Sequence, residues 1–379
     1  MSTVLVAHPS ADLYGSDLQL VESVAGLVEA GRRVVVTLPA PGPLVARLAA
    51  AGAEVTVLPV PVLRKALLRP RGLLALAGGS LRALPAMVAL LRDLRPGAVY
   101  VNTVTVPLWL VAARLAGRPA LCHVHEAEDG LPRPVALLLN APVLLARSVV
   151  ANSGAARDVL VRAVPALRRR TRVVHNGVAG PGREPAPAGR GTGPRRLVLV
   201  GRLSERKGTD VAVEALALLR ARGHDVELEL CGAVFPGYEW FEERLRQRAA
   251  RPDLAGAVVF SGYTDPTWPA LEHAEVVLVP SRAEPFGNTA VEAQLAGRPV
   301  VASAVQGLQE IVTSGEDGLL VPPGDAAALA DAVASLLDDP ALAARLAAAG
   351  VESAVRRFSP ARYRADVVAA VDAVRAERR

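Results

Sequence analysis

"AEPFGNTAVEAQLAGRPVVAS" (residues 283–303) sets two carboxylates around a glycine turn. Glu284 stands just before Phe286-Gly287-Asn288, and Glu292 lies just inside the helical run that follows. One reading is structural. Thr289-Ala-Val-Glu292 fits the capping-box pattern, in which a glutamate at the third helical position reaches back to the cap. The other reading is chemical. A helix N-terminus offers N–H groups to phosphate oxygens, and a carboxylate beside it suits a sugar or ribose hydroxyl. "EVVLVPS" (275–281) ahead of the turn and "RPVVAS" (298–303) behind it read as strands. Glu284 therefore sits at the carboxyl end of a strand, and the rest of the chain must decide between the two readings.

Similar apolar runs recur on both sides of this unit. The first half offers "TVLVAH" (3–8), "RRVVVTLP" (32–39), "EVTVLPV" (54–60), "AVYVNT" (98–103), "ALCHVH" (120–125) and "SVVANS" (148–153). The second half adds "RRLVLVGRL" (195–203), "VELELCG" (226–232), "AVVFSGY" (257–263) and "GLLVPP" (318–323). Nearly continuous apolar strands alternating with helical patterns imply parallel sheets covered on both faces. The expectation is an α/β chain of two doubly wound, Rossmann-like domains facing across a cleft. Residues 1–178 form the first domain and 195–358 the second. Between them "AGPGREPAPAGRGTGP" (179–194) reads as a Pro/Gly-rich linker. Its Gly-x-Gly patterns follow no strand and open no helix, so they are no dinucleotide fingerprint. A last helix is expected over 359–379, with Ser359 as cap, Pro360 in its first turn, and Tyr363, Val367, Val371 and Val374 on one stripe.

Composition narrows the class. The chain has 379 residues, 51% of them hydrophobic, enough for two large cores. Two cysteines, Cys122 and Cys231, suggest neither a disulfide framework nor a zinc site, and their apolar surroundings predict buried thiols. "MSTVLVAHPS" does not read as a signal peptide. The longest apolar stretch is expected to be 134–146, which falls short of the ~20 residues that span a bilayer. A cytoplasmic chain, soluble or peripheral on the inner face of the plasma membrane, is expected. Residues 1–178 carry a net charge of +10 and the remainder −4, so the first half suits an anionic partner. Nucleic acid is not expected, because that half lacks interleaved aromatics and any recognised module.

Ligands of open parallel sheets meet the carboxyl ends of the strands. After 195–201 come Arg202, Lys207 and Gly208, two cations beside a helix start, which suit a diphosphate. A solvated basic loop is the alternative. Phe235, Tyr238 and Tyr263 lie near strand ends and could pack on a base or sugar. After 120–124 come His125, Glu126, Glu128 and Asp129; the acids could orient an acceptor hydroxyl, as could Asp17. His123 shares its side of the strand with His125. No Asp-x-Asp motif occurs at these ends, so no metal and no other cofactor is expected.

Taken together, "YGSD" (14–17), "HNGV" (175–178), "GRLSERKG" (201–208), the Glu284–Glu292 pair and "GLQEIVTSGEDGLLVPPGD" (307–325) give the chain a family. It resembles the retaining glycosyltransferases of family 4, which have the GT-B fold, over nearly its whole length. The resemblance implies that Arg202 and Lys207 clasp the donor diphosphate with Gly287, Asn288 and Thr289. It implies that Glu292 binds the ribose, and that Glu284, Phe286 and Gly287 meet the transferred sugar. Gly15 and Ser16 would let backbone approach the phosphates, although the family usually has glycine where Ser16 stands. His125 falls where family members place a histidine near the sugar, with a structural histidine as the alternative. Catalysis is thereby assigned to Glu284 and His125, with retention of configuration, and the last helix crosses back onto the first domain.

The acceptor is a glycan or lipid-linked molecule on this reading. Between residues 62 and 97 lie Arg64, Lys65, Arg69, Arg71, Arg82, Arg92 and Arg95, with Asp93 the sole acid. Leu81, Leu84, Met87, Val88, Leu91 and Leu94 share one helical face. A basic amphipathic segment from Arg64 to Arg95 reads as a contact for an anionic membrane surface. An ordinary domain-covering helix is the alternative. The competing function is a non-catalytic, membrane-associated protein of the same fold that binds nucleotide-sugars.

Overall fold

Valine-rich runs bounded by Gly, Pro, Asn and Asp become thirteen strands among the described residues. The computed structural model describes residues 2–13, 15–63, 70–183 and 193–376, with the side chains of residues 70, 71, 73 and 376 set aside. Tyr14, Arg64, Lys65, Arg69 and linker residues 184–192 lie outside that set, as does the side chain of Arg71. The chain divides into two units, Met1–Gly177 with Pro360–Arg379, and Val178–Ser359.

The first unit carries β1 (Thr3–Ala7), β2 (Arg33–Leu38), β3 (Glu54–Val57), β4 (Ala98–Asn102), β5 (Ala120–Val124), β6 (Ser148–Ala151) and β7 (Thr171–Val173). They pair in parallel in the order β3-β2-β1-β4-β5-β6-β7. Successive side chains of β1 face opposite layers. Val4 and Val6 pack with Leu20, Val24 and Leu27 of the helix Gly15–Glu29 and with Tyr363, Val367 and Val371 of the last helix, Pro360–Ala376. Leu5 and Ala7 face Met87, Leu91 and Trp109. The last helix buries Tyr363, Val367, Val371 and Val374 almost completely. At roughly 1.5–3 kcal/mol per buried apolar side chain, this stripe holds the helix in the first unit.

The second unit carries β8 (Arg195–Val200), β9 (Val226–Cys231), β10 (Val258–Gly262), β11 (Val276–Val279), β12 (Val300–Ser303) and β13 (Leu319–Val321). They pair in parallel in the order β10-β9-β8-β11-β12-β13. Each sheet reverses its strand order once, at β1/β4 in the first unit and at β8/β11 in the second. Such a reversal opens a crevice beyond the strand ends, so it fixes where to look for a site.

Three expectations need correction. Strand β7 escapes the sequence pattern because a three-residue edge strand flanked by arginines carries little alternation. The longest apolar helical stretch is Leu74–Leu94, not 134–146. Its length and composition would suffice to cross a membrane, and 17% of it is buried. The stripe on that helix mostly faces inward: Met87, Val88 and Leu91 are buried, Leu84 and Leu94 pack against the core, and Leu81 alone of the set is exposed. A helical period finds a stripe but does not say which side the core lies on. Cys122 and Cys231 are buried free thiols.

Candidate functional site

In the second unit, β8 and β11 end beside one another and their loops are tied together. Ser204 caps a short turn, Glu205–Lys207, which closes on Gly208 in a left-handed conformation. A Cβ on Gly208 would stand 1.9 Å from the Pro280 carbonyl oxygen at the end of β11, so glycine alone allows this approach. Arg206 donates to the Ala283 carbonyl at 3.0 Å and accepts from the Arg282 N–H at 2.8 Å. Arg282 grips Asp210 through two bonds of 2.8 Å. These bonds set the height at which Lys207 and Glu284 meet.

Lys207 Nζ donates to Glu284 Oε2 at 2.5 Å, and Ser281 Oγ donates to the same oxygen at 3.1 Å. The Glu284 N–H donates to Gln306 Oε1 at 2.8 Å, and its carbonyl accepts from the Gly307 N–H at 3.0 Å. Burial works against the Glu284 charge. The nearby cations Lys207 and Arg206, with the two donated hydrogen bonds, outweigh it and hold the carboxyl below its ordinary range. Arg202, one residue past the strand-end Gly201, lays its guanidinium 3.1 Å from the centre of the Phe235 ring. Tyr238 and Tyr263 are exposed.

The helix Asn288–Leu295 starts at Gly287, whose φ is 122°, and no side chain caps it. A Cβ there would come within 2.6 Å of Leu308. The capping-box reading is therefore overturned. Glu292 is the fifth residue of this helix, too deep to reach back, and Thr289 leans its hydroxyl toward the Val200 carbonyl at 3.5 Å. Glu292 is half-buried, and burial pushes its carboxyl up to about 7 against the pull of Lys207. The Phe286 ring turns into the core, edge-on to Phe358 at 5.6 Å, which leaves the site its main chain. Much of the 307–325 motif serves the fold. Asp317 accepts from the Thr313 N–H at 2.7 Å, and Asp325 caps the helix Ala326–Asp338 by accepting from Ala328 at 2.9 Å.

In the first unit the ends of β1, β4 and β5 hold a different set. His8 Nε2 lies 2.6 Å from Asp17 Oδ1, and His8 Nδ1 lies 2.9 Å from Asn102 Nδ2. Asn102 Oδ1 lies 2.8 Å from His125 Nε2. His8, Asp17 and Asn102 are buried, while His125 is half-buried. Burial above all pushes the His125 pKa down to about 3, so the ring is neutral at pH 7. The His123 ring lies 4.1 Å from the His125 ring, tilted 36° to it, and bonds Tyr100 Oη at 2.6 Å. The next residue after Asn102, Thr103, has a φ of 90°, a genuine outlier for a β-branched side chain.

Asp17 does not present itself to an acceptor: it is turned inward onto His8 and Ser10. Glu126 is bound to the backbone, accepting from the N–H of His125 at 3.0 Å and of Val104 at 3.5 Å, and burial pushes it up to about 7. Glu128 is exposed, as is Gly15, and Ser16 is half-buried at the start of the helix Gly15–Glu29. His8, Asn102, Ser281 and Gln306 were not singled out from sequence. The strand-end rule would have flagged the first three, and Gln306 carries no local signal. Among the described residues, no three His, Cys, Asp or Glu side chains gather as a metal site would require.

Comparison with known proteins follows this geometry. The family description "Glycosyl transferases group 1" matches residues 194–339, and "Glycosyltransferase Family 4" matches residues 16–179. A glycogen synthase of Mycobacterium tuberculosis is 34% identical over 277 residues, covering 68% of this chain and 64% of that protein. A D-inositol 3-phosphate glycosyltransferase of Streptomyces avermitilis is 32% identical over 291 residues, covering 69% and 62%. The chain thus spans somewhat less than two thirds of the length of these curated relatives. Among solved structures, Alr3699/HepE of Anabaena, determined with UDP and glucose, superposes with a TM-score of 0.84 at 23% identity, over 98% of this chain and 100% of that one.

Proposed function

The chain belongs to glycosyltransferase family 4 and has the GT-B fold, and from that premise we propose that it transfers a sugar from a nucleotide-diphosphate sugar to a glycan or lipid-linked acceptor. The observation that carries this reading is the Lys207–Glu284 pair, 2.5 Å apart where β8 and β11 part. Lys207 is half-buried and Glu284 buried, with 17% and 10% of their side chains exposed, which leaves the pair an edge for a ligand. Lys207 and Arg202 take the diphosphate, with the main-chain groups of Gly287, Asn288 and Thr289 at the helix start. Glu292 accepts from the ribose hydroxyls, and Glu284 from hydroxyls of the transferred sugar.

The transfer retains configuration. Glu284 Oε2 is already engaged by Lys207 and Ser281, which weakens it as a nucleophile and favours front-face attack. The bond from the anomeric carbon to the phosphate oxygen breaks and the bond to the acceptor oxygen forms. The acceptor proton passes to the leaving phosphate oxygen. Arg202 and Lys207 balance the charge that develops there, so the reaction needs no metal.

A lipid-linked acceptor suits the surface of the first unit. The helix Arg133–Asn140 buries none of its residues, and Leu137 and Leu138 on it are exposed. Leu74 and Leu81 are also exposed, and Arg82, Arg92 and Arg95 stand out from the same region. Exposed leucines with basic neighbours support contact with an anionic membrane surface, and we infer from them a chain working at the cytoplasmic face on a product of the cell envelope.

A thermal-shift screen against nucleoside diphosphates and their sugars, with EDTA present, tests the donor assignment. A ligand at 100 times its Kd adds roughly 2.7 kcal/mol of stability. The expected result is stabilisation by one nucleotide series, lost in Arg202→Ala and in Lys207→Ala. No stabilisation by any nucleotide would overturn the reading and favour the non-catalytic one.

A further inference from the structure

His8, Asn102 and His125 close three neighbouring strands, β1, β4 and β5, and the strand order reverses between the first two. Their side chains form one hydrogen-bonded line that ends on Asp17. The protons along that line can be placed from the Asp17 end. A carboxylate only accepts, and Asp17 Oδ1 already takes the Ser10 hydroxyl at 2.5 Å. His8 Nε2, 2.6 Å from the same oxygen, therefore carries a proton. A neutral imidazole has one N–H, so His8 Nδ1 accepts, and Asn102 turns its NH2 toward it. The carboxamide oxygen then faces His125 Nε2, which must donate. That leaves His125 Nδ1 with a lone pair, and it makes no hydrogen bond among the described residues.

We propose that Asp17, His8 and Asn102 are positioning residues that fix His125 as its Nε2–H tautomer, so that Nδ1 meets the substrate as an acceptor for a sugar hydroxyl. The low basicity of His125 agrees, since a neutral ring has a lone pair to offer. His123, packed at 4.1 Å with its ring tilted and held by Tyr100, keeps the ring from turning. The strained Thr103 follows directly, with its N–H donating to the His123 carbonyl at 2.7 Å. Strain of this kind persists where the surroundings over-determine a conformation, here the one that aims Asn102. The naming of a sugar hydroxyl rests on the transferase reading; the tautomer does not.

The test is long-range 15N–1H correlation on the full-length protein without substrate, with the His125 signals assigned by their loss in His125→Gln. The expected pattern is a protonated Nε2 and an unprotonated Nδ1. Asn102→Leu removes the anchor and should release His125 into a tautomer mixture. Asn102→Asp keeps an acceptor opposite Nε2 and should restore the wild-type pattern. In transfer assays Asn102→Leu should lower kcat about tenfold, with donor KM within about twofold of wild type. A protonated Nδ1 in the wild type would overturn the proposal; a cationic His8 would flip Asn102 and produce it. An unchanged tautomer or unchanged kcat in Asn102→Leu would do so too. If that variant does not fold, the wild-type spectrum decides. A spectrum as expected in a protein that binds no nucleotide would defeat the transferase reading and leave the relay standing.

Discussion

The two sheets reverse strand order once each, and the side chains gathered at the two reversals differ in kind. At β8/β11 they are charged and reachable: Lys207 and Glu284 form an ion pair, with Arg202 on Phe235 close to the same strand end. At β1/β4 they are neutral at the outer end and buried: a line of histidines and one carboxamide runs inward to Asp17. An accessible ion pair can be exchanged for new partners, so it suits a ligand that brings its own charge, such as a diphosphate. A buried line has every donor matched to an acceptor, and disturbing one member orphans the next. It suits a ligand without charge that must be met at a fixed angle, such as a hydroxyl. On the proposed reading the same topology serves two kinds of recognition, and the difference lies in a few residues past the strand ends.

The sharpest way to break the comparison is to remove the charge at β8/β11. Glu284→Ala should lower transfer by ~10³-fold or more, the scale of losing one preorganised electrostatic contact at a reacting centre. It should leave the fold intact and nucleoside diphosphate binding within a few-fold, because Lys207 then has no competitor for the phosphates. Turnover and calorimetric titration on the same preparation separate the two effects. Wild-type turnover would sink the assignment of Glu284 and with it the contrast between the reversals.

How far all this was legible in the sequence depends on range. Glu284, Lys207 and Arg202 stand out in the sequence because each follows an apolar strand within a few residues, and the strand-end rule needs no more. The two sheets were legible for the same reason. The cap reading of Glu292 fails on a local point, since Thr-x-x-Glu marks a cap only if the helix begins at the threonine, and here Gly287 holds that place. Asp17 looked available because sequence does not show that His8 lies above it. The relay itself was out of reach: Asn102 is 94 residues from His8 and 23 from His125, and only the register of β1, β4 and β5 brings them together. Glu126 likewise took its partners from the end of a neighbouring strand.

A second, smaller test asks whether the charged reversal extends to Glu292. Its carboxyl is raised from 4.5 to about 7 by burial. A raised carboxyl stabilises the fold relative to the unfolded chain below about 4.5, and that contribution is lost as pH rises through about 7. Glu292→Gln should therefore be the more stable protein at pH 8 and lose that advantage by pH 4.5, read from urea unfolding. Ribose hydroxyls favour the ionised form, so wild-type nucleotide affinity should rise roughly tenfold from pH 6 to pH 8, beyond whatever rise the variant shows. Parallel pH profiles in the two proteins would remove Glu292 from the site and confine the charged set to Lys207, Arg202 and Glu284.

The smallest effect probes the other reversal from behind. Tyr363 on the last helix bonds Ser23 Oγ at 2.6 Å; Ser23 lies 3.3 Å from Tyr100 Oη, which bonds His123. This second line is neutral, and burial raises both tyrosines above their ordinary range, so it holds no charge to lose. Tyr363→Phe leaves the ring in the core and removes a hydroxyl that bonds Ser23 and also meets Gln19 and Tyr100, which should cost about 1–3 kcal/mol in urea unfolding. Because His123 only braces the His125 ring, transfer should change by less than about twofold. A loss well above 3 kcal/mol would mean that the Tyr363–Ser23–Tyr100–His123 line acts as one cooperative network rather than as separate bonds. A large fall in kcat with normal stability would mean that the last helix aims His125 directly. In that case the neutral reversal would be tuned from the last helix, through the Tyr363–Ser23–Tyr100–His123 line.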